Sequence, residues 1–361
     1  MNERFIDSSA GLDSLLKDLA ATGATRCGID TEADSLHSYR EKLCLIQMIC
    51  DDTLAIIDPL ALDSSALQQL LEFIGEREIW MHGADFDMTL MLKTFGFVPD
   101  RILDTQLAAR LTGHEKFGLA NLIEGHFGVS LSKSSQKADW GARPLKEKLL
   151  RYAFDDVRYL MRLADNLVDQ LNERGRLSWF EEWCGWARQS VLDRPERNVD
   201  DIWRVNGWGN LNRQGLAYLR EIWRWRDEES QTRDCPPFRV MNNQQMLAVA
   251  DSASTGKEIR GTKGLRPGPM RRFQDAIERA GKISQEDWPQ RLQRRGGPRE
   301  EVDSSEYERL RDVRNRRAEE GDLDPTIIAT RGTLESLSVN PDLAKTRLMK
   351  WQRELLFGED D

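Results

Sequence analysis

Residues 27–35 read Cys27-Gly28-Ile29-Asp30-Thr31-Glu32-Ala33-Asp34-Ser35. An apolar, strand-like run ends here in two carboxylates, Asp30 and Glu32. On a β-strand, positions i and i+2 project from one face. Like charges placed side by side on that face repel. Either the strand stops in solvent, or something positive belongs between the two acids.

The flanking sequence favours a strand inside a sheet. Residues 25–31, 43–50 and 53–58 are short apolar runs separated by turns, and read as a hairpin-linked set of strands. Residues 64–75 carry Leu67, Leu70, Leu71 and Ile74 at helical spacing. A strand over 78–82, a helix over 85–95 closed by Gly96 and a short strand over 101–104 follow. Helices are then expected over 104–112, 118–127 and, as one long element opened by Pro144, from 144 to about 174. Strands and helices on one sheet make an α/β domain over residues 1–195.

Beyond that point only helical patterns appear. Breakers at Cys235-Pro236-Pro237, 264–269 and 294–298 separate them. The last splits this half into modules at 205–293 and 300–361, whose similar rhythm suggests a diverged repeat. Trp179, Trp183 and Trp186 fall on one helical face, which reads as an inter-domain core rather than a base-stacking platform.

The chain has 361 residues, 39 % hydrophobic and 31 % charged, as in globular proteins of two or three domains. No apolar run reaches the ~18 residues of a membrane helix, and the acidic N-terminus lacks the pattern of a secretion signal. Five cysteines without a CxxC pair predict reduced thiols and a cytoplasmic protein. Only four histidines are present, which argues against a zinc cluster. The net charge of −9 is uneven: −10 over residues 1–200, +6 over 201–300 and −5 over 301–361. An acidic chain with a basic module can still bind a polyanion.

Four constellations carry chemistry: Asp30-Thr31-Glu32; His82-Gly83-Ala84-Asp85-Phe86-Asp87 at a strand-to-helix junction; Asp104-Thr105-Gln106; and Arg151-Tyr152-Ala153-Phe154-Asp155-Asp156-Val157 inside a helix. In the last, Tyr152 and Asp156 are i,i+4 neighbours beside the apolar face. Asp155 instead neighbours Arg151 and Arg158 in a surface network. At the second, Asp85 sits where a helix N-terminus takes a capping carboxylate, whereas Asp87 has no such role. Taken singly, each motif also reads as helix caps or surface acids. Together, Asp30, Glu32, Asp87 and Asp156 make four hard oxygen ligands suited to Mg²⁺ or Mn²⁺. Two such ions offset the repulsion between the acids and set up in-line attack on a phosphodiester. Tyr152 is placed to orient the attacking water.

These motifs, IDTEAD (29–34), HGADFD (82–87) and YAFDD (152–156), resemble those of the DEDD 3′–5′ exonucleases, in the tyrosine branch. LCLIQM (43–48), ILDTQLAARL (102–111) and KSSQKADWGARPL (133–145) extend the resemblance to bacterial ribonuclease D over roughly residues 5–190. Residues 210–290, with GLRPGPMRRF (264–273), are similar to an HRDC domain, and 300–358, ending MKWQRELL, to a degenerate second copy.

The resemblance implies a ribonuclease H-like α/β exonuclease domain followed by all-α HRDC-type domains. It implies Asp30, Glu32, Asp87 and Asp156 as ligands of two divalent ions, with Tyr152 catalytic. The expected substrate is RNA with a single-stranded 3′ tail, tRNA precursors in particular, released as nucleoside 5′-monophosphates. No nucleotide cofactor and no membrane partner are expected. A DNA exonuclease and a non-catalytic RNA-binding protein are the alternatives. Substrate contacts are expected from His82, Lys133 and Arg143, and from Lys263, Arg266, Arg271 and Arg272 in the basic stretch. Because every catalytic candidate precedes residue 157, a chain ending near residue 200 is expected to fold alone.

Overall fold

A computed structural model describes residues 1–132, 134–195, 198–259, 266–292 and 302–358. The chain divides into two compact units. The first comprises 1–33, 43–194 and the described part of 298–361; the second comprises 34–42 and the described part of 195–297.

The first unit is built on a six-stranded mixed sheet. In chain order it contains β1 (Asn2–Ile6), α1 (Ser9–Thr22), β2 (Arg26–Ala33), β3 (Leu43–Cys50), β4 (Thr53–Ile57), α2 (Ser64–Gly75), β5 (Glu78–Met81), α3 (Asp85–Phe95), β6 (Ile102–Asp104), α4 (Thr105–Leu111), α5 (Leu119–Phe127), α6 (Glu147–Arg158), α7 (Leu160–Glu173) and α8 (Leu177–Leu192). Strand order is β1-β4-β3-β2-β5-β6. β2, β3 and β4 form the antiparallel meander expected from the sequence, while β2, β5 and β6 run parallel. The carboxyl ends of β2, β5 and β6 therefore lie at one edge. In open α/β sheets that edge is where sites form.

The two faces of the sheet are covered differently. Ile29, Ile46, Met48, Ala55 and Ile57 share a core with α1, α2 and α3. Leu45, Ile49, Leu54 and Ile56 pack beneath Ala153, Phe154 and Val157 of α6. Gly28 lies on this second side, where an added Cβ would sit 2.7 Å from Ile49 and 3.0 Å from Leu160. Only glycine lets β2 come this close to the start of α7.

Four features depart from the sequence expectations. β1 and α1 were not legible beforehand. The long helix from 144 to 174 begins at Glu147 and is interrupted at Tyr159, whose ring stacks on Phe127 of α5 at 5.7 Å. Cys27 and Cys50, which face each other across the β2–β3 pair, form a disulfide, so the expectation of five reduced thiols is not met. The fourth concerns the C-terminal helices.

The second unit is helical: α9 (Arg213–Thr232), α10 (Pro237–Val240), α11 (Asn243–Ser254) and α12 (Pro267–Gly281). Its core joins Trp203, Leu219, Trp225, Met246 and Phe273. Segment 34–42 belongs to it through Tyr39, whose hydroxyl donates to Asp227 at 2.9 Å.

The remaining helices, α13 (Ser304–Gly321), α14 (Pro325–Ile328), α15 (Arg331–Val339), α16 (Ala344–Arg347) and α17 (Lys350–Phe357), lie in the first unit. They share one hydrophobic cluster with Leu107, Leu167, Leu171 and Phe180 of the sheet-containing part. Trp351 is buried, stacked on Trp179 at 5.0 Å and tilted against Trp183 at 6.2 Å. Glu182 of α8 accepts the Lys350 backbone N–H at 2.6 Å, capping α17. The Trp179–Trp183 face is thus covered by α17. A chain cut near residue 200 would lose that cover. Trp186 is 39 % exposed and stands outside this contact. Among the described residues, no helix is long and apolar enough to cross a membrane.

Candidate active site

Strand β2 delivers Asp30 and Glu32 to the shared carboxyl edge. Its pairing with β3 shifts register between Glu32 and Ala33, an irregularity of the kind found beside many sites. Asp156 arrives from α6, which lies on the same face. One carboxylate oxygen each from Asp30, Glu32 and Asp156 lies within 4.8 Å of the others. Asp87, in the first turn of α3, lines the same cavity of about 480 Å³, together with His82 and Tyr152. Thr31, between the two β2 acids, donates its hydroxyl to Asp87 Oδ1. The structure therefore brings together Asp30, Glu32, Asp87, Tyr152, Asp156 and His82.

The electrostatics of this cluster are unrelieved. Among the described residues, no lysine or arginine forms an ion pair with Asp30, Glu32, Asp87 or Asp156. Burial, then the neighbouring charges of Asp87, Asp156 and Glu32, raises Asp30 well above the usual carboxylate range. Burial, followed by Asp156 and Asp87, pushes Glu32 up to about 9. Burial takes Asp156 to about 7 despite a hydrogen bond from Tyr152, and Asp87 to about 6 despite the one from Thr31. These acids are desolvated and mutually repelling, an all-oxygen donor set of the kind divalent cations of the Mg²⁺ class fill. Tyr152 is raised as well, by burial and then by Asp156, Glu32 and Asp30, so its phenol stays protonated. Its ring packs against buried Trp140 at 5.9 Å.

Asp155 and Asp85 point elsewhere. Asp155 meets Arg158 Nε at 3.0 Å, while Arg151 pairs with Glu147 rather than with Asp155. Asp85 makes no capping bond; it pairs with Arg194 at 2.6 Å. The acid that serves the start of α3 is Asp104, at the end of β6. Its Oδ1 accepts the Gly83 N–H and its Oδ2 the Ala84 N–H, at 2.8 and 2.9 Å, and Oδ1 also accepts the Gln106 N–H at the start of α4. One buried carboxylate thus ties two helix starts to the sheet edge and sets the height of Asp87. The sequence marked Asp104-Thr105-Gln106 without assigning it a role; the contact to Gly83 spans 21 residues and needs the β5–β6 pairing to be seen.

Thr105 also orients His82. Its hydroxyl donates to Met81 O at 3.0 Å and lies 2.9 Å from His82 Nδ1. The single hydroxyl proton is spent on the carbonyl, so Nδ1 carries the hydrogen and Nε2 is the acceptor. Burial lowers the His82 pKa, which keeps the ring neutral. Phe86, Gln106 and Gln136 line the cavity as well; the first two fall within the quoted motifs, but the sequence reading assigned none of the three a role.

The expected phosphate contacts fare differently. Lys133 and Lys263 lie outside the described residues. Arg143 is corrected: all five of its N–H groups are accepted internally, by Asp58 at 2.5 and 2.8 Å and by the carbonyls of Cys44, Trp140 and Ala142. It clamps a loop to the sheet and has no donor left for a phosphate. Arg266 and Arg271 are exposed at the start of α12, and Arg272 pairs with the buried Glu229.

A model of the 3′–5′ exonuclease family matches residues 4–172, and one of the HRDC domain matches 215–279. Fold and site thus define a 3′–5′ exonuclease domain followed by a helical HRDC domain, a class that works with divalent metal ions. The chain is 31 % identical over 304 residues to ribonuclease D of Zymomonas mobilis, spanning 80 % of this chain and 76 % of that one. It is 28 % identical over 341 residues to ribonuclease D of Gluconacetobacter diazotrophicus, spanning 92 % and 85 %. The crystal structure of Escherichia coli RNase D, an exoribonuclease involved in structured RNA processing, shares the fold over the whole of both chains, with a TM-score of 0.71 at 24 % identity. The chain belongs to the ribonuclease D family and is a 3′–5′ exoribonuclease.

Proposed function

We propose that the chain removes nucleotides one at a time from single-stranded RNA 3′ ends, tRNA precursors among them, using two Mg²⁺ or Mn²⁺ ions and releasing nucleoside 5′-monophosphates. The observation that carries this reading is the cluster of Asp30, Glu32 and Asp156, with Asp87 in the same cavity and, among the described residues, no lysine or arginine paired with them. Those four carboxylates would hold the ions. When bound, the ions supply the positive charge that activates water and stabilises the developing phosphorane.

The chain's own groups do the rest. The Tyr152 hydroxyl, already bonded to Asp156, orients the attacking water. It acts as a positioned phenol and not as a base, since its proton is held tightly. His82 presents a neutral Nε2 acceptor toward the cavity side, suited to a hydroxyl of the terminal nucleotide. The exposed Arg266 and Arg271 of the HRDC domain suit non-specific phosphate contact.

Matched RNA and DNA oligonucleotides labelled at either end, and a tRNA precursor with a 3′ tail, test the reading in the presence of Mg²⁺, Mn²⁺ or EDTA. The expected result is a ladder shortening from the 3′ end, faster on RNA and abolished by EDTA. Equal or faster DNA degradation would turn the reading to a DNA exonuclease. Binding without cleavage would leave an RNA-binding protein.

A further inference from the structure

The buried face of the sheet beneath α6 contains a polar group with no visible purpose. Gln47, in the middle of β3, is completely buried, yet neither its amide oxygen nor its amide nitrogen has a hydrogen-bond partner. Its neighbours on that face, Leu45 and Ile49 on β3 and Ile56 on β4, are apolar and pack with Ala153, Val157 and Leu160. A leucine or methionine would fill this place without stranding two polar atoms, and native cores rarely leave a buried amide unpaired. As a core residue, glutamine is therefore the wrong choice.

Its position explains the choice. In the antiparallel β2–β3 register Gln47 is the direct partner of Asp30. Residues so paired project from the same face with adjacent side chains. Asp30 belongs to the carboxylate cluster, and the residues flanking Gln47 on this face of β3, Leu45 and Ile49, are apolar. A carboxylate that holds a cation is normally held in turn by a donor behind it, which fixes its orientation.

We infer that Gln47 is a positioning residue for the cation site: its amide N–H₂ is the donor that orients the Asp30 carboxylate when a divalent ion is bound. The inference rests on the proposed cation site. It separates site from core, because a core role and a positioning role predict opposite results on losing the amide. With a core role, Gln47→Leu changes folding alone. With a positioning role, Gln47→Leu leaves the metal-free protein as stable or more so, since two stranded polar atoms disappear, but weakens cation binding.

The test uses the full chain and its Gln47→Leu, Gln47→Met and Gln47→Glu variants. Mn²⁺ binding is measured by the loss of the free-ion electron paramagnetic resonance signal, and metal-free stability by thermal unfolding. The apolar variants should keep or raise the metal-free Tm and bind Mn²⁺ about 10- to 100-fold more weakly. Gln47→Glu keeps the shape but not the donor, and should bind as weakly as the apolar variants or more so. Unchanged Mn²⁺ affinity in folded variants would overturn the inference while leaving the cation site intact. A marked fall of metal-free Tm in both apolar variants would also overturn it, by making the amide a core element. Failure of the unmodified chain to bind Mn²⁺ would overturn the cation site and this inference together.

Discussion

Helix α9 of the HRDC domain and the carboxyl edge of the exonuclease sheet both bury acids, and they treat them in opposite ways. Glu221 is 7 % exposed and Glu229 2 %. Each meets arginine: Arg224 lies 2.7 Å from Glu221, and Arg272 bonds Glu229. Asp58, in the exonuclease domain but away from the cavity, is likewise clasped by Arg143. Among the described residues, no arginine pairs with Asp30, Glu32, Asp87 or Asp156. Burial without a partner is costly. Under the proposed function, the partner of these four is a cation from solution. Asp104, also buried, is held by three backbone N–H groups instead, so burial alone does not tell a structural acid from a candidate metal ligand.

The largest effect that tests this contrast comes from substitution within the cluster. Asp156→Asn should take RNA hydrolysis below detection with folding retained, while Asp155→Asn, which loses only an exposed pair with Arg158, should keep most of it. Single-turnover kinetics on both purified variants decide the matter; equal losses would erase the distinction. Breaking a structural pair should do the reverse. Arg143→Ala strands the buried Asp58 and should cost about 3–5 kcal/mol of stability, read as a lower denaturation midpoint, with little change in KM for short RNA. A selective rise in KM would return Arg143 to the substrate.

Next in size is Tyr152→Phe, which should lower kcat by about 10²-fold with RNA affinity nearly unchanged. Loss of affinity in place of rate would make the tyrosine a binding contact. At the join between the C-terminal helices and α8, Trp351→Ala should destabilise the exonuclease unit by about 3–5 kcal/mol. Chemical denaturation checks this, and a neutral result would mean that α17 only decorates the surface.

A pH dependence tests the same contrast without a substitution. In the metal-free chain Asp87, Asp156 and Glu32 have folded values of about 6, 7 and 9, against about 4 for unfolded carboxylates. Raised acids favour the folded state most below pH 4, and that stability is lost as pH climbs through 6 to 9. Metal-free Tm should therefore fall between pH 5 and 9. Asp156→Asn should flatten the fall, gaining at pH 8 and not at pH 5. Thermal scans in EDTA across that range suffice.

Much of the site was legible in the sequence because its motifs are local. Asp30 and Glu32 sit two residues apart on a strand, and Tyr152 and Asp156 one turn apart on a helix, so each pair carries its own geometry. What escaped was non-local. Arg143 looked like a free loop cation because Asp58 lies 85 residues earlier. Asp85 looked like a cap because Asp104 reaches Gly83 only through the β5–β6 pairing. The Cys27–Cys50 bond depends on strand register, which no composition reveals. The tryptophan face read as an inter-domain core; Trp179 and Trp183 instead pack on Trp351 of the same unit, some 170 residues on, and Trp186 is exposed. The helix break at Tyr159 has no glycine or proline to announce it.

The central claim is that the carboxylates of Asp30, Glu32, Asp87 and Asp156 are a cation site. Crystals of the full chain soaked in Mn²⁺ and measured at the manganese absorption edge test it most directly. The account predicts anomalous peaks bounded by Asp30, Glu32, Asp87 and Asp156, at about 2.1–2.3 Å from their oxygens. Manganese bound elsewhere with this cavity holding only water, or a lysine or arginine folded into it, would contradict the account.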